Sequence, residues 1–242
     1  MTSEKESVQI GRQFEFFMDL LGHDLLNSNQ AVLSYLELIL SNPGADKKTV
    51  TMAEKAIAHV RTATILIENV KRIMGTRIVD FHELKAVDLT SAIEKAEADL
   101  ARFYPDRRIQ IDRETWPSTA MVYGSSFVTD LVLNVLVTAS RLNPGDDVRM
   151  KVALVEDKQN DHSVWVVRVQ DEDCQLPPFL DGEGVSATYA QDISLAAKTS
   201  GLLSAKMIAA NLGGDFEAHA ISHEPKRKGA VFTITLRKAD QP

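Results

Sequence analysis

The sequence holds one cysteine, few aromatic residues (6%) and no excess of positive charge, with 27 Lys and Arg against 34 Asp and Glu and a net charge of -7. A lone Cys174 excludes an intrachain disulfide and a multi-cysteine zinc site, and nothing beside it marks it as a nucleophile. The acidic balance argues against a broad nucleic-acid surface. The one basic cluster, Lys226-Arg227-Lys228, reads as a hairpin tip, so the expected partners are proteins or small molecules. No apolar run approaches the roughly 20 residues that cross a bilayer. The opening Met1-Thr2-Ser3-Glu4-Lys5-Glu6 lacks the basic-then-apolar order of a signal peptide, so a cytoplasmic protein is expected. With 44% hydrophobic and 25% charged residues, the 242-residue chain has the composition of an ordinary globular protein of one or two domains.

From about Val8 to Leu40 the apolar residues recur at helical spacing, and Ser41-Asn42-Pro43-Gly44 ends the run. A second helical run carries Val50, Ala53, Ala56, Ile57, Val60, Ala63, Ile67, Val70 and Met74, with Gly75 as its stop. Two long antiparallel helices follow from this pattern. A two-helix hairpin cannot enclose its own apolar stripe, so self-association into a four-helix bundle, and hence a homodimer, is expected.

His23 lies within the first helical run. Phe14, Phe17, Leu21, Leu25, Val32, Leu36 and Ile39 share one face at roughly 100° per residue, and His23 falls about half a turn from its centre. The same outer face carries Asn27, Gln30, Ser34 and Glu37. A solitary surface histidine is commonly incidental; the rest of the chain sets this one apart.

After Gly75 the pattern changes. A connector from Thr76 to Asp88 contains a short extended run, and Thr90 is expected to cap a helix through Ile93, Ala96 and Leu100. Strands are expected over Arg108–Asp112 and Ala120–Tyr123, then a buried helix over Ser126–Leu142. Val148–Val155 and Ser163–Gln170 read as paired strands. Glu172–Ser200 reads as a long loop, followed by a helix over Leu203–Leu212, Gly213-Gly214, and strands over Asp215–Ala220 and Ala230–Leu236. This order predicts a two-layer α/β sandwich.

His23-Asp24-Leu25-Leu26-Asn27 resembles the H-box of sensor histidine kinases. Further along, Asp130–Ala139 resembles the family's N-box, and Val169-Gln170-Asp171 the opening of its G1 box. Gly201-Leu202 through Gly213-Gly214 is similar to the G2 region, and Gly229-Ala230-Val231-Phe232 to the closing Gly-x-x-Phe strand. The motifs occur in the family's order and span nearly the whole chain. The resemblance implies an α+β chain: a dimerising phosphotransfer hairpin over 1–77, then an ATP-binding sandwich of the histidine kinase, gyrase and Hsp90 type over 78–242. It implies that His23 Nε2 takes or gives a phosphoryl group, that Asp24 polarises the imidazole, and that Asn27 sits where the family orients water for dephosphorylation. For ATP with Mg²⁺ it implies Asp171 at the adenine amine, Asn134 and Arg141 near the phosphates, and a response-regulator receiver domain as partner.

The sequence departs from that pattern at the nucleotide boxes. Thr138 stands where the family has a magnesium-ligating Asn, and Asp173 and Gln175 replace the two G1 glycines, placing side chains where backbone should approach nucleotide. In the G2 region only Gly201 is kept, with Thr199 and Ser200 before it, which weakens the expected phosphate cradle at a helix N-terminus. No metal site built from protein ligands is expected. The expected function is an autokinase that phosphorylates His23 from ATP and passes the group to a response-regulator aspartate; the alternatives are an ATP-independent dimeric phosphotransferase or adaptor and a receiver phosphatase acting through Asn27.

Overall fold

The computed structural model describes residues 22–76, 84–104, 107–159, 162–181, 193–222 and 228–239. The chain divides into two compact units, Met1–Gly75 and Thr76–Pro242. The first is a helical hairpin of α1 (22–40) and α2 (Lys47–Thr76). Its turn is closed locally: Ser41 N–H donates to the Glu37 carbonyl (2.9 Å), and Gly44 N–H donates to Asn42 Oδ1 (3.0 Å). Asp46 then caps α2, accepting from Thr49 N–H at 2.9 Å and from the Thr49 hydroxyl at 3.1 Å. Those bonds hold its carboxyl below the usual range.

Within the hairpin, Asn29 Nδ2 donates to Thr64 Oγ1 across the helices (3.1 Å). Leu26, Leu33, Leu36 and Leu40 are the α1 leucines that are partly covered, whereas Leu25, Val32 and Ile39 are 49%, 44% and 40% exposed. The expected apolar stripe is thus divided. Leu36 belongs to the covered face, while Leu25, Val32 and Ile39 form an outer apolar edge about a quarter turn away at ~100° per residue. Phe14, Phe17 and Leu21, expected on the same stripe, lie outside the described residues.

In the second unit, β1 (Lys85–Asp88) pairs antiparallel with β3 (Met121–Gly124). A five-stranded sheet runs β2 (Arg108–Arg113), β4 (Asp147–Gln159), β5 (His162–Asp171), β7 (Lys228–Arg237), β6 (Asp215–Ser222). Only β2 and β4 are parallel. The helices are α3 (Leu89–Phe103), α4 (Phe127–Leu142) and α5 (Ile193–Asn211). Helix α4 packs between α3 and α5. It is therefore buried from Leu131 to Ala139 without interruption, as its all-round apolar sequence requires. Val148, Met150, Val152 and Leu154 of β4 and Phe232, Ile234 and Leu236 of β7 are buried, while their alternate neighbours are more open.

Two expectations need correction. Helix α3 is capped by Asp88, whose carboxylate accepts from Thr90 N–H (3.1 Å) and the Thr90 hydroxyl (2.6 Å), so Thr90 is the donor and lies within the helix. Helix α5 begins at Ile193, ten residues before the expected Leu203, inside the stretch read as loop. Its first two turns, Ile193-Ser194-Leu195-Ala196-Ala197-Lys198-Thr199-Ser200, favour helix through Leu and Ala but show no amphipathic period, so periodicity misses them. The helix ends at Asn211, and the turn beyond it passes through Gly213, whose φ of 71° suits glycine.

Candidate functional site

The hairpin displays His23 on an exposed face. Its side chain and that of Asp24 are each 69% exposed, with His23 Nδ1 3.2 Å from Asp24 Oδ1. Asn27, one helical turn on, places Nδ2 3.2 Å from Nδ1 and 3.3 Å from Nε2. With Nδ1–H donated to Asp24, the lone pair lies on Nε2, the tautomer a nucleophilic imidazole needs, and Asn27 Nδ2 is the group that can donate to it at rest. Gln30, Ser34 and Glu37 are also exposed, though the Ser34 hydroxyl donates back to the Gln30 carbonyl (3.0 Å).

In the second unit Asp171 ends β5 and is buried. Its Oδ1 accepts from Asp173 N–H (2.8 Å), Cys174 N–H (3.0 Å) and Asn143 Nδ2 (3.0 Å), and its Oδ2 accepts from Asn143 Nδ2 at 2.8 Å. Asn143 caps the C-terminus of α4. The loop after Asp171 is pinned on both sides: Gln175 N–H donates to the Leu142 carbonyl (3.0 Å) and Gly229 N–H to the Cys174 carbonyl (2.9 Å). Gly229 has φ +76°, which a side chain rarely adopts, and a Cβ there would fall 3.3 Å from the loop's Glu172 Cα, so this approach of β7 to the loop suits glycine. Arg107 ties off the helix end, its guanidinium donating to the carbonyls of Ser140 (2.6 Å), Asn143 (3.1 Å) and Gly145.

The side chains replacing the G1 glycines do not fill the interior. Asp173 and Gln175 are exposed; Asp173 pairs with Lys228 at 2.9 Å, and Glu172 pairs with Lys151 at 3.2 Å. The interior is taken instead by Cys174 and Leu176, both buried.

Asn134 and Thr138, on α4, are buried, and Asn134 Nδ2 donates to the Ser204 hydroxyl of α5 (3.1 Å). Gly201 lies eight residues beyond the start of α5, well inside the helix and away from its N-terminus. A Cβ there would collide with Thr138 Oγ1 and lie 3.0 Å from the Asn134 carbonyl oxygen. Gly201 thus lets two helices meet. Arg141 occupies the last turn of α4, where the helix dipole favours a cation. Polar groups expected to face ATP-Mg are engaged with other groups of the protein: Asp171 with Asn143 and Asn134 with Ser204, while Thr138 packs against Gly201. Sequence reasoning passed over Asn143, Ser204 and Arg107. Asn143 precedes Pro144-Gly145 and looks like a helix stop, and only the fold sets its amide beside an acid 28 residues away.

The sequence matches no protein-family model, and comparison with curated proteins finds no match. Solved structures do resemble it. The Mycobacterial sensor histidine kinase MprB aligns with TM-score 0.50 and 21% identity over 65% of this chain and 99% of its own. The Acinetobacter baumannii histidine kinase AdeS aligns with TM-score 0.51 and 10% identity over 89% of this chain and 96% of its own. Full-length ShkA, solved in complex with AMPPNP, aligns with TM-score 0.56 and 13% identity over 93% of this chain and 46% of its own. At these identities the likeness is one of fold. The chain has the sensor histidine kinase fold.

Proposed function

We propose that this protein works in two-component signalling as a homodimeric histidine phosphotransferase, with His23 Nε2 exchanging a phosphoryl group with the aspartate of a response-regulator receiver domain. The observation that carries this reading is an exposed imidazole held between Asp24 and Asn27. In the transfer, the Nε2 lone pair forms a P–N bond as the P–O bond of the aspartyl phosphate breaks, releasing a carboxylate; the reverse reaction passes the group on. Asp24 keeps the Nδ1 proton throughout, fixing the tautomer and stabilising the cationic character that develops on the ring. Asn27, within reach of both ring nitrogens, is positioned to orient water against a docked aspartyl phosphate, which supports receiver dephosphorylation as a side activity.

The homodimer is favoured by the outer edge of Leu25, Val32 and Ile39, since a helix in a four-helix bundle covers two adjacent faces and the hairpin covers one. A cytoplasmic setting suits the receiver partner. The second unit is proposed as an ATP-binding-like domain whose nucleotide residues, Asn134, Thr138, Arg141, Asp171 and Gly201, serve packing more than phosphate binding. A second reading, an autokinase drawing on ATP-Mg, is favoured by Asp171 itself, an acid kept buried at the end of β5 in a kinase fold.

The test offers the purified chain a phosphorylated receiver in one arm and ATP-Mg in the other. Acid-labile label on His23 from the receiver is expected, and His23→Gln abolishes labelling in both arms. Label persisting in that variant overturns the site assignment; rapid label from ATP-Mg alone selects the autokinase.

A further inference from the structure

The geometry points to Asn143 as a built-in occupant of the Asp171 carboxylate, holding the hydrogen-bonding positions that the exocyclic amine of an adenine nucleotide would need. The inference deepens the reading of the second unit as an ATP-binding-like fold and rests on it. Asn143 Nδ2 lies 3.0 and 2.8 Å from the two carboxylate oxygens, and both residues are buried. The amide orientation is set from the other side, because Asn143 Oδ1 accepts from Gly145 N–H at 2.8 Å; flipping the amide would turn its carbonyl toward a carboxylate and lose both bonds to Asp171. A carboxylate offers about four lone-pair positions. The loop amides of Asp173 and Cys174 take two of them at Oδ1, and Asn143 bridges Oδ1 and Oδ2.

Asn143 cannot swing away freely. Its backbone N–H donates to the Ala139 carbonyl, and its own carbonyl accepts from Arg107 at 3.1 Å. An amine that approaches the carboxylate on the Asn143 side must displace that side chain and leave a buried amide without its acceptor, a cost that the new hydrogen bond from the amine does not recover. The self-contained pair therefore holds the Asp171 carboxylate by the same hydrogen-bonding chemistry that a nucleotide base would use.

Calorimetry of ATP, ADP and ITP on the full chain and on Asn143→Ser tests this. Serine removes the amide but retains a small hydroxyl donor near Asp171. The wild type is expected to bind ATP and ADP no tighter than millimolar, and the folded variant to tighten both by about tenfold or more, with or without Mg²⁺, since the change concerns the base. ITP, with a carbonyl in place of the amine, should gain nothing. An unchanged affinity in the folded variant, or an equal gain for ITP, overturns the inference. In the wild type, the Asn143 side-chain amide resonances should stay in place on adding millimolar ATP, and a shift of those signals overturns it without recourse to any variant. Tight ATP binding by the wild type alongside intact receiver-driven labelling of His23 would defeat this inference and leave the phosphotransfer reading standing. Absent labelling with the expected nucleotide profile would do the reverse.

Discussion

Asp88 shows how a short polar residue acts through several donors at once. Burial would raise its carboxyl, but bonds from the Thr90 hydroxyl, Ala120 N–H, the Ser91 hydroxyl and Thr90 N–H outweigh it and hold the group below its ordinary value of 3.8. A lowered folded-state value means that Asp88 stabilises the fold above the ordinary carboxyl range and loses that contribution as pH falls through the lowered value. Asp88→Ala should cost about 1 kcal/mol near neutrality, the usual worth of an N-cap, and the deficit should shrink in melts below about pH 4. A deficit that stays constant into acid would refute the assignment. Cys174 offers a second check. Burial pushes its thiol up, and the neighbouring Asp171 carboxylate pushes it further, so it stays protonated and inert. Native protein should not react with a thiol reagent at mildly alkaline pH, and unfolded protein should release one equivalent; rapid native reaction would show an open loop.

Between elements, the contact of α4 with α5 depends on Gly201 and the Asn134–Ser204 bond. Gly201→Ala drives a methyl into Thr138 Oγ1 and against the Asn134 carbonyl, so a loss of about 1–3 kcal/mol in urea unfolding is expected. Adding Thr138→Ala should recover part of the loss, because one of the two obstacles is a removable side chain and the other is backbone. If Gly201→Ala melts like the wild type, the helices do not meet there. The early start of α5 bears on the same residue: Gly201 lies inside the helix, where backbone N–H groups are taken up in the helix ladder and are not free for a phosphate.

For the whole molecule, the exposed large apolar side chains among the described residues concentrate on the hairpin: Leu25, Val32, Tyr35, Leu38, Ile39 and Met52, with Ile221 the exception. In the proposed homodimer the partner would cover the Leu25, Val32 and Ile39 edge. Light scattering should give about twice the 26.8 kDa chain mass, and Leu25→Glu with Val32→Glu should yield monomers that keep the second unit folded. A strict monomer of the wild type at micromolar concentration would exclude the dimer. No helix among the described residues is long and apolar enough to cross a membrane.

The sequence alone determined the hairpin turn at Ser41-Asn42-Pro43-Gly44, the helical phase that turns His23 outward, the buried α4 and most of the strands, because each follows from local periodicity or from residues whose backbone preferences are strong. It also placed Asn27 beside His23, since a four-residue step on a helix fixes that neighbour. It could not apportion the apolar stripe of α1, because the stripe records which residues avoid water and not which partner covers them. The tertiary structure decided the rest: Asp88 caps α3, Gly201 is a packing glycine, Asp173 and Gln175 face solvent, and Asn143 meets Asp171. The Gly201–Thr138 and Asn143–Asp171 contacts join residues far apart in the chain, so what each polar group can bind depends on which other groups the fold has already placed against it.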